Sequence, residues 1–541
     1  MQKKTGTSSK LVAGIIILTI SNIFVKIIGV LFKIPLHNLL GGRGMSYFNA
    51  AYTIFTNLYL VSTAGLPLAI SLMVSRAHAR GSRKEVNRIF YTALVLFLIL
   101  GVAGTSVMFF GADVLASFTG APDASLAIAV IAPTLFFICI SSSIRGYFQG
   151  HQNMLPTAIS EVIESAGKFA LGILFGIWAT RSGKSIEVCA AYSIAGVTVG
   201  EAAGMAFLIF ARVLHKQKYD SALDTDTTPI PTPKEILKKL LKISIPVMIS
   251  SVALNLTNTI DTFTIVNLTK KYFPIEIAEE MYGNYTSLAI PLFHLPSAFI
   301  YPISTSIAPA LSAAKAKKDR RELDFTVFGA LKLVTIISIP CTIGIAVLSG
   351  PILRLLFSNK EAVAFVAPLL SILAPSIFFS GILTITSSIL QANEHQSKPI
   401  VSMLCGIITK LIVSCVLLNI ESIGIYGAPI GTVASYFVMS VINFVFVVKY
   451  VGIKAKSATI ILKPLAASLI STAVTIAVYK LIANAGRPNV ATLMSVIATA
   501  IVYFILLFIM KEFTKRDILL LPKGEKIYSL LCKIKLMKEE I

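Results

Sequence analysis

The residues of this chain with chemical potential are few, and most stand where charge is costly. Glu161, Glu164 and Lys168 recur at i, i+3 and i+7 inside an apolar run, the spacing of one helix face. Lys410 stands 242 residues beyond Lys168 in an equivalent run. A charge at the bilayer centre costs about 2.5 to 3.5 kcal/mol on insertion scales, so such side chains should face a cavity or one another. Two lysines projecting into one cavity would suit an anionic substrate such as a diphosphate. In the alternative, Glu164 neutralises Lys168 and merely locks the helix. Asn22, Lys26 and Lys33 lie at i, i+4 and i+11, again one face. Asn255, Asn258 and Asp261 form a similar stripe, and a shift of 235 residues superposes Asp261 on Lys26. Those two would form a cross-cavity ion pair, or either would snorkel to the headgroups. Glu201, in mid-run, is a candidate proton or cation site, because a desolvated carboxylate seeks a counter-ion or a proton. Packing against a hydroxyl is its bland alternative. His294 is of a type that can titrate near neutrality, though a lone histidine is more often structural.

Catalytic chemistry is missing from this inventory. Gly183, Lys184 and Ser185 spell the end of a phosphate-binding loop, but Trp178 stands where its first glycine belongs. No HExxH zinc pattern or GxSxG elbow occurs. Cys139, Cys189, Cys341, Cys405 and Cys415 sit in or beside apolar runs and Cys532 in a basic tail, without CxxC spacing. Neither a disulfide nor a metal site is expected. The chain thus reads as a transporter with no cofactor and no bound ATP, driven by an ion gradient, the membrane potential or substrate consumption.

The elements that must position these residues follow from composition. Of 541 residues, 55% are hydrophobic and 14% charged, whereas a soluble protein carries roughly 25% charged residues. About fourteen apolar runs, from 11–33 to 489–511, are long enough to cross a core of about 30 Å. Alternate loops carry about 33 and about 10 basic residues, which places both termini in the cytoplasm by the positive-inside rule. The net charge of +22 is therefore mainly a topology signal, with attraction to anionic lipids. A nucleic-acid binder would need a basic folded domain, and the connections are too short to hold one.

An internal repeat organises the spans. SRAHARGSRKEV from Ser75 aligns with SAAKAKKDRREL from Ser312, and Pro133, Phe136, Phe137, Gln149 and Lys168 recur as Pro375, Phe378, Phe379, Gln391 and Lys410. The GxxxG of Gly196 and Gly200 returns at Gly427 and Gly431. The expected fold is an all-α polytopic membrane protein of about fourteen transmembrane helices, with two pseudo-symmetric six-helix lobes and two C-terminal helices. Its segments are a first lobe at 1–212, a basic cytoplasmic linker at 213–242, a second lobe at 243–450, an extra helix pair at 451–511 and a basic tail at 512–541. Parallel repeats of this kind support alternating access.

The stretches LGGRGMSYFNAAYTIFTNLYLVSTAGLPLAIS (40–71), RGYFQGHQNMLPTAISEVIE (145–164), LPSAFIYPISTSIAPALSAA (295–314) and GIYGAPIGTVASY (424–436) carry a family resemblance. They resemble the stage V sporulation protein B group of polysaccharide transporters, in the multidrug/oligosaccharidyl-lipid/polysaccharide exporter superfamily and related to MurJ-type lipid II flippases. The resemblance implies a bacterial-type plasma membrane and flipping of an undecaprenyl-diphosphate-linked glycan to the outer leaflet, with peptidoglycan precursor as leading cargo. It implies cavity arginines on helices one, two and eight, and an extra helix pair that cradles the lipid tail. This sequence offers instead Lys26 in the first apolar run (11–33), Arg43 before the second (46–73) and His294 in the eighth (283–307), while Arg145 would meet phosphate at the entrance. Alternatives are a multidrug/cation antiporter of the same superfamily, with a carboxylate-dominated cavity and a coupling cation or proton, and a non-transporting scaffold for cell-wall or sporulation enzymes.

Overall fold

The computed structural model describes residues 4–220, 229–316, 320–452, 459–484 and 487–510, with Glu512, Tyr528 and Ser529. Among these, every regular element is helical, as apolar runs of this length require: hydrocarbon offers no partner to a backbone that does not satisfy itself. Eleven helices among the described residues are long and apolar enough to cross a membrane, and two bent pairs raise the number to as many as thirteen. The helix α1 (Lys4–Thr63) explains the difference from fourteen. Its 60 residues would extend about 90 Å at 1.5 Å per residue, three times a hydrocarbon core. It is interrupted at Gly41 (φ 66°, ψ −177°), a left-handed φ that glycine adopts without penalty. Divided there, it supplies two spans. The protein is a multi-pass membrane protein.

The chain forms two compact units, Met1–Ser287 and Leu288–Ile541. The first contains α1, α2 (Leu66–Ala79), α3 (Arg83–Phe110), α4 (Ala112–Thr119), α5 (Ser125–Gly150), α6 (Leu155–Arg181), α7 (Ile186–Asp220), α8 (Pro233–Thr269) and α9 (Ile275–Asn284). The unit boundary thus falls beyond α8, while the sequence repeat divides at 213–242. The start of α8 shows why: its capping box of Thr232 and Glu235 fixes the first turn, and Ile236 and Leu240 bury against the apolar side chains of α2, α3, α5 and α7.

Two seams set the internal geometry of the first unit. At α6 and α7, glycines face one another: a Cβ on Gly196 would lie 2.2 Å from the Gly172 nitrogen, and one on Gly167 2.7 Å from the Gly200 Cα. Small residues let helix backbones approach in this way, which is how membrane helices gain packing energy without a hydrophobic driving force. At the Gly41 elbow, a Cβ on Gly283 would meet the Gly42 carbonyl, so α1 and α9 also touch through backbone.

The second unit contains α10 (Ile290–His294), α11 (Ser297–Ala316), α12 (Arg320–Leu356), α13 (Lys360–Leu373), α14 (Pro375–Ala392), α15 (Ser397–Leu418), α16 (Gly427–Phe446), α17 (Thr459–Ala483) and α18 (Pro488–Ile509). Its α15–α16 seam repeats the small-residue device, with Ser435 Oγ donating to the Gly406 carbonyl at 2.8 Å and Gly431 against Ser414. The last helix pair is anchored to α12: Tyr503 donates to the Ile336 carbonyl at 2.8 Å. Buried Glu512 pairs with Lys332 at 3.5 Å and with Lys463 of α17 at 3.2 Å.

Candidate functional site

The site is built outward from one face of α6. Glu161, Glu164 and Lys168 all line a cavity of about 420 Å³ inside the first unit. The cavity is closed by α1, α5 and α7, which contribute Phe32, Tyr52 and Tyr59, Arg145, and Glu201 respectively. The glycine seam delivers Glu201: with Gly200 against Gly167, the next residue of α7 brings its carboxyl beside that of Glu164. Five of the residues selected from sequence therefore share one cavity.

Their pairing differs from the expectation in one respect. Glu164 forms its ion pair with Arg145, not with Lys168, and Arg145 Nε also donates to Ser160 Oγ at 3.2 Å. Arg145 is 9% exposed and lines the cavity as a paired cation. The Lys168 ammonium lies over two rings, 4.3 Å from the Tyr52 centroid and 5.3 Å from that of Phe32. Cation–π contacts of this kind grow stronger when desolvated. Three carboxylates thus face two cations, and the buried oxygens Glu161 Oε2 and Glu201 Oε1 have no hydrogen-bond partner among the described residues. No group of three His, Cys, Asp or Glu residues suited to a metal ion occurs among those residues.

The remaining selected residues lie elsewhere. The side chain of Asn22 is outside the described residues. Lys26 is exposed and Asp261 is 2% exposed, so these repeat-related positions have different environments. Lys33 donates to Asn49 Oδ1 at 3.4 Å and to the Thr286 carbonyl at 3.3 Å, bridging α1 to the segment after α9. Asn255 donates to Asn57 Oδ1 at 2.9 Å. His294 is exposed at the end of α10, its ring centroid 4.6 Å from that of Phe293. Lys410 does not line the first unit's cavity: it is 1% exposed within the second unit. The reason is its position on α15, where Ser402, Gly406, Lys410 and Ser414 fall at steps of four on the buried stripe. That stripe meets α16, as the 2.6 Å bond between Ser402 and Asn443 shows.

Two features were missed from sequence. The aromatic wall of the cavity belongs to a stripe of Phe48, Tyr52, Phe55 and Tyr59 on α1, whose successive ring centroids lie 6.0 to 6.1 Å apart. Its spacing was visible but does not distinguish a wall from a core. The other is a polar knot beyond the elbow, where Arg43 reaches Glu279 at 2.9 Å and Asp123 at 3.5 Å and Tyr47 donates to Glu279 at 2.8 Å. Glu279 is 1% exposed; nothing local in the sequence joins residues 43, 123 and 279.

The second unit holds another cavity, of about 480 Å³, between α11, α12 and α18. It is almost wholly apolar, with Phe299, Pro340, Leu348 and Phe504 among its walls.

A bundle of membrane-crossing helices enclosing a charged cavity has the architecture of a membrane transporter. The family model described as polysaccharide biosynthesis protein matches residues 11–315, more than half the chain, and the chain belongs to that family. A second family model, MatE, matches residues 285–416. The chain is 25% identical to stage V sporulation protein B of Bacillus subtilis over 94% of this chain and 97% of that protein. It is 23% identical to the lipid II flippase MurJ of the same organism, over 83% and 84% respectively. Its fold is that of a solved lipid II flippase MurJ in an inward closed conformation, with a TM-score of 0.72 and 17% identity over 92% of this chain and 99% of that one. These likenesses place the chain in the superfamily that joins such flippases to MATE transporters.

Proposed function

We propose that the protein is an alternating-access flippase that moves an undecaprenyl-diphosphate-linked cell-wall glycan, lipid II or a related polysaccharide precursor, from the inner to the outer leaflet. The repeat-related six-helix lobes at 1–212 and 243–450 would supply the alternating surfaces, and both termini would lie in the cytoplasm. The observation that supports this best is the division of chemistry between two cavities. One is charged and aromatic, suited to a polar headgroup; the other is apolar, suited to a prenyl chain. Each suits one part of an amphiphile with a large polar head. The relatives named as a lipid II flippase and a sporulation protein support the same reading.

The test is flipping of labelled lipid II by the full chain in proteoliposomes. Wild type should move label to the outer leaflet, and Lys168→Ala should reduce the rate at equal protein incorporation. Failure of wild type with lipid II and with other undecaprenyl-linked glycans would overturn the reading.

One observation favours a second reading, a cation antiporter. Three carboxyl groups against two basic side chains line the charged cavity, the composition that alternative expects. Efflux of a soluble organic cation such as ethidium, driven by an imposed proton or sodium gradient and absent in Glu201→Gln, would support it over lipid flipping.

A further inference from the structure

We infer that the first unit's cavity binds a protonated amine carried by the glycan cargo, with Glu161 and Glu201 as its acceptors. This rests on the flippase reading above and specifies which part of the cargo that cavity takes.

Charge is the first ground. Arg145 is committed to Glu164 and Lys168 to the faces of Tyr52 and Phe32. Glu161 Oε2 and Glu201 Oε1 remain buried without hydrogen-bond partners among the described residues, and Glu201 is 6% exposed. A buried acceptor without a donor costs its desolvation penalty, so a donor brought by the ligand would be used twice, as charge and as hydrogen bond. A diphosphate has no donor to offer those oxygens.

Wall chemistry and size are independent grounds. Phe55 and Tyr59 also line the cavity, and Tyr59 lies within electrostatic reach of Glu164 and Glu201. Aromatic faces beside carboxylates make an ammonium site, since the ring quadrupole and the carboxylate attract the same charge. Lys168 occupies the neighbouring half of that wall in this manner already. The volume of about 420 Å³ lies in the range of small-molecule sites, about 300 to 1,000 Å³. A bare metal ion fits less well: hard cations gather about six to eight oxygens, and no metal-suited group of side chains occurs among the described residues. A proton would neutralise one carboxylate but make no use of the aromatic wall.

The experiment compares two synthetic undecaprenyl-diphosphate disaccharide-peptide lipids that differ only in a peptide side-chain amine, free in one and acetylated in the other. Binding to the full chain in nanodiscs and flipping in proteoliposomes are both measured. Wild type should bind the free amine about tenfold more tightly or better, the scale of one charge-assisted hydrogen bond. Glu161→Gln and Glu201→Gln should each remove most of that ratio. Thermal melting checks folding, and if Glu201→Gln does not fold, the part-exposed Glu161 carries the test. Equal affinities in wild type, or variants that keep the ratio, would overturn the inference while flipping of both lipids left the flippase reading standing. If neither lipid binds, the inference falls, and the flippase reading falls with it only when other undecaprenyl-linked glycans also fail to move.

Discussion

Removing Arg145 should be among the most damaging single changes available to the first unit. Its guanidinium is buried and holds Glu164 by an ion pair and Ser160 by a hydrogen bond. Glu161 and Glu201 add two more carboxylates within the same electrostatic field. Breaking a buried pair by deleting one partner typically costs about 3 to 5 kcal/mol, because an uncompensated charge remains behind. Arg145→Gln should fall in that range or above it, since the charge left behind belongs to a carboxylate cluster. Glu164→Gln alone should cost less, because Arg145 keeps two other carboxylates nearby. The double variant Arg145→Gln/Glu164→Gln should recover about 1 to 3 kcal/mol relative to the sum of the singles, the range of coupling for residues in contact. The assay is unfolding of the full chain in one detergent, read for wild type, both singles and the double. If Arg145→Gln melts with wild type, or if the two changes are additive, the ion-pair account of this cavity is wrong.

Other expectations follow from the seams and from one loop histidine. A Cβ on Gly200 would lie 2.8 Å from the Glu164 carbonyl and 2.9 Å from the Lys168 nitrogen, backbone atoms that cannot yield without moving α7. Gly200→Ala should therefore cost about 1 to 3 kcal/mol by overpacking and slow transport through the displaced Glu201; a variant matching wild type in melting and flux would count against the seam. Glu512→Gln should loosen α17 and α18 by about 1 to 3 kcal/mol, the loss of hydrogen bonds to a charged group. Limited proteolysis should then release that helix pair faster, and an unchanged cleavage rate would refute the anchor. His151, between α5 and α6, donates from Nδ1 to the Tyr147 carbonyl at 2.9 Å, and burial pushes its imidazole down to about 4 from the usual 6.5, with His78 and Arg212 adding repulsion. The unfolded chain binds the proton first, so this contribution is present above about pH 6.5 and is lost as pH falls towards 4. Melting temperature should fall less steeply between pH 7 and 5 in His151→Gln than in wild type, and parallel slopes would contradict the assignment.

Hydropathy and periodicity were enough to locate the membrane helices, because a 20-residue apolar run has one stable conformation in hydrocarbon. They also placed Glu161, Glu164 and Lys168 on a single face, since helical spacing is a local property. The GxxxG pairs announced close helix contacts without saying which helices would meet. Only tertiary structure decided the partners. Glu164 meets Arg145 and not its neighbour Lys168 because the long Arg145 side chain reaches from α5 to Glu164 and Ser160, and Glu201 joins them because glycines bring α7 within backbone contact of α6. Lys168 and Lys410 occupy matching places in the repeat, yet one stands on an aromatic cavity wall and the other is sealed in the α15–α16 seam. Sequence determines which side of a helix a residue takes; what waits on that side depends on how distant helices approach, and no local pattern encodes that distance.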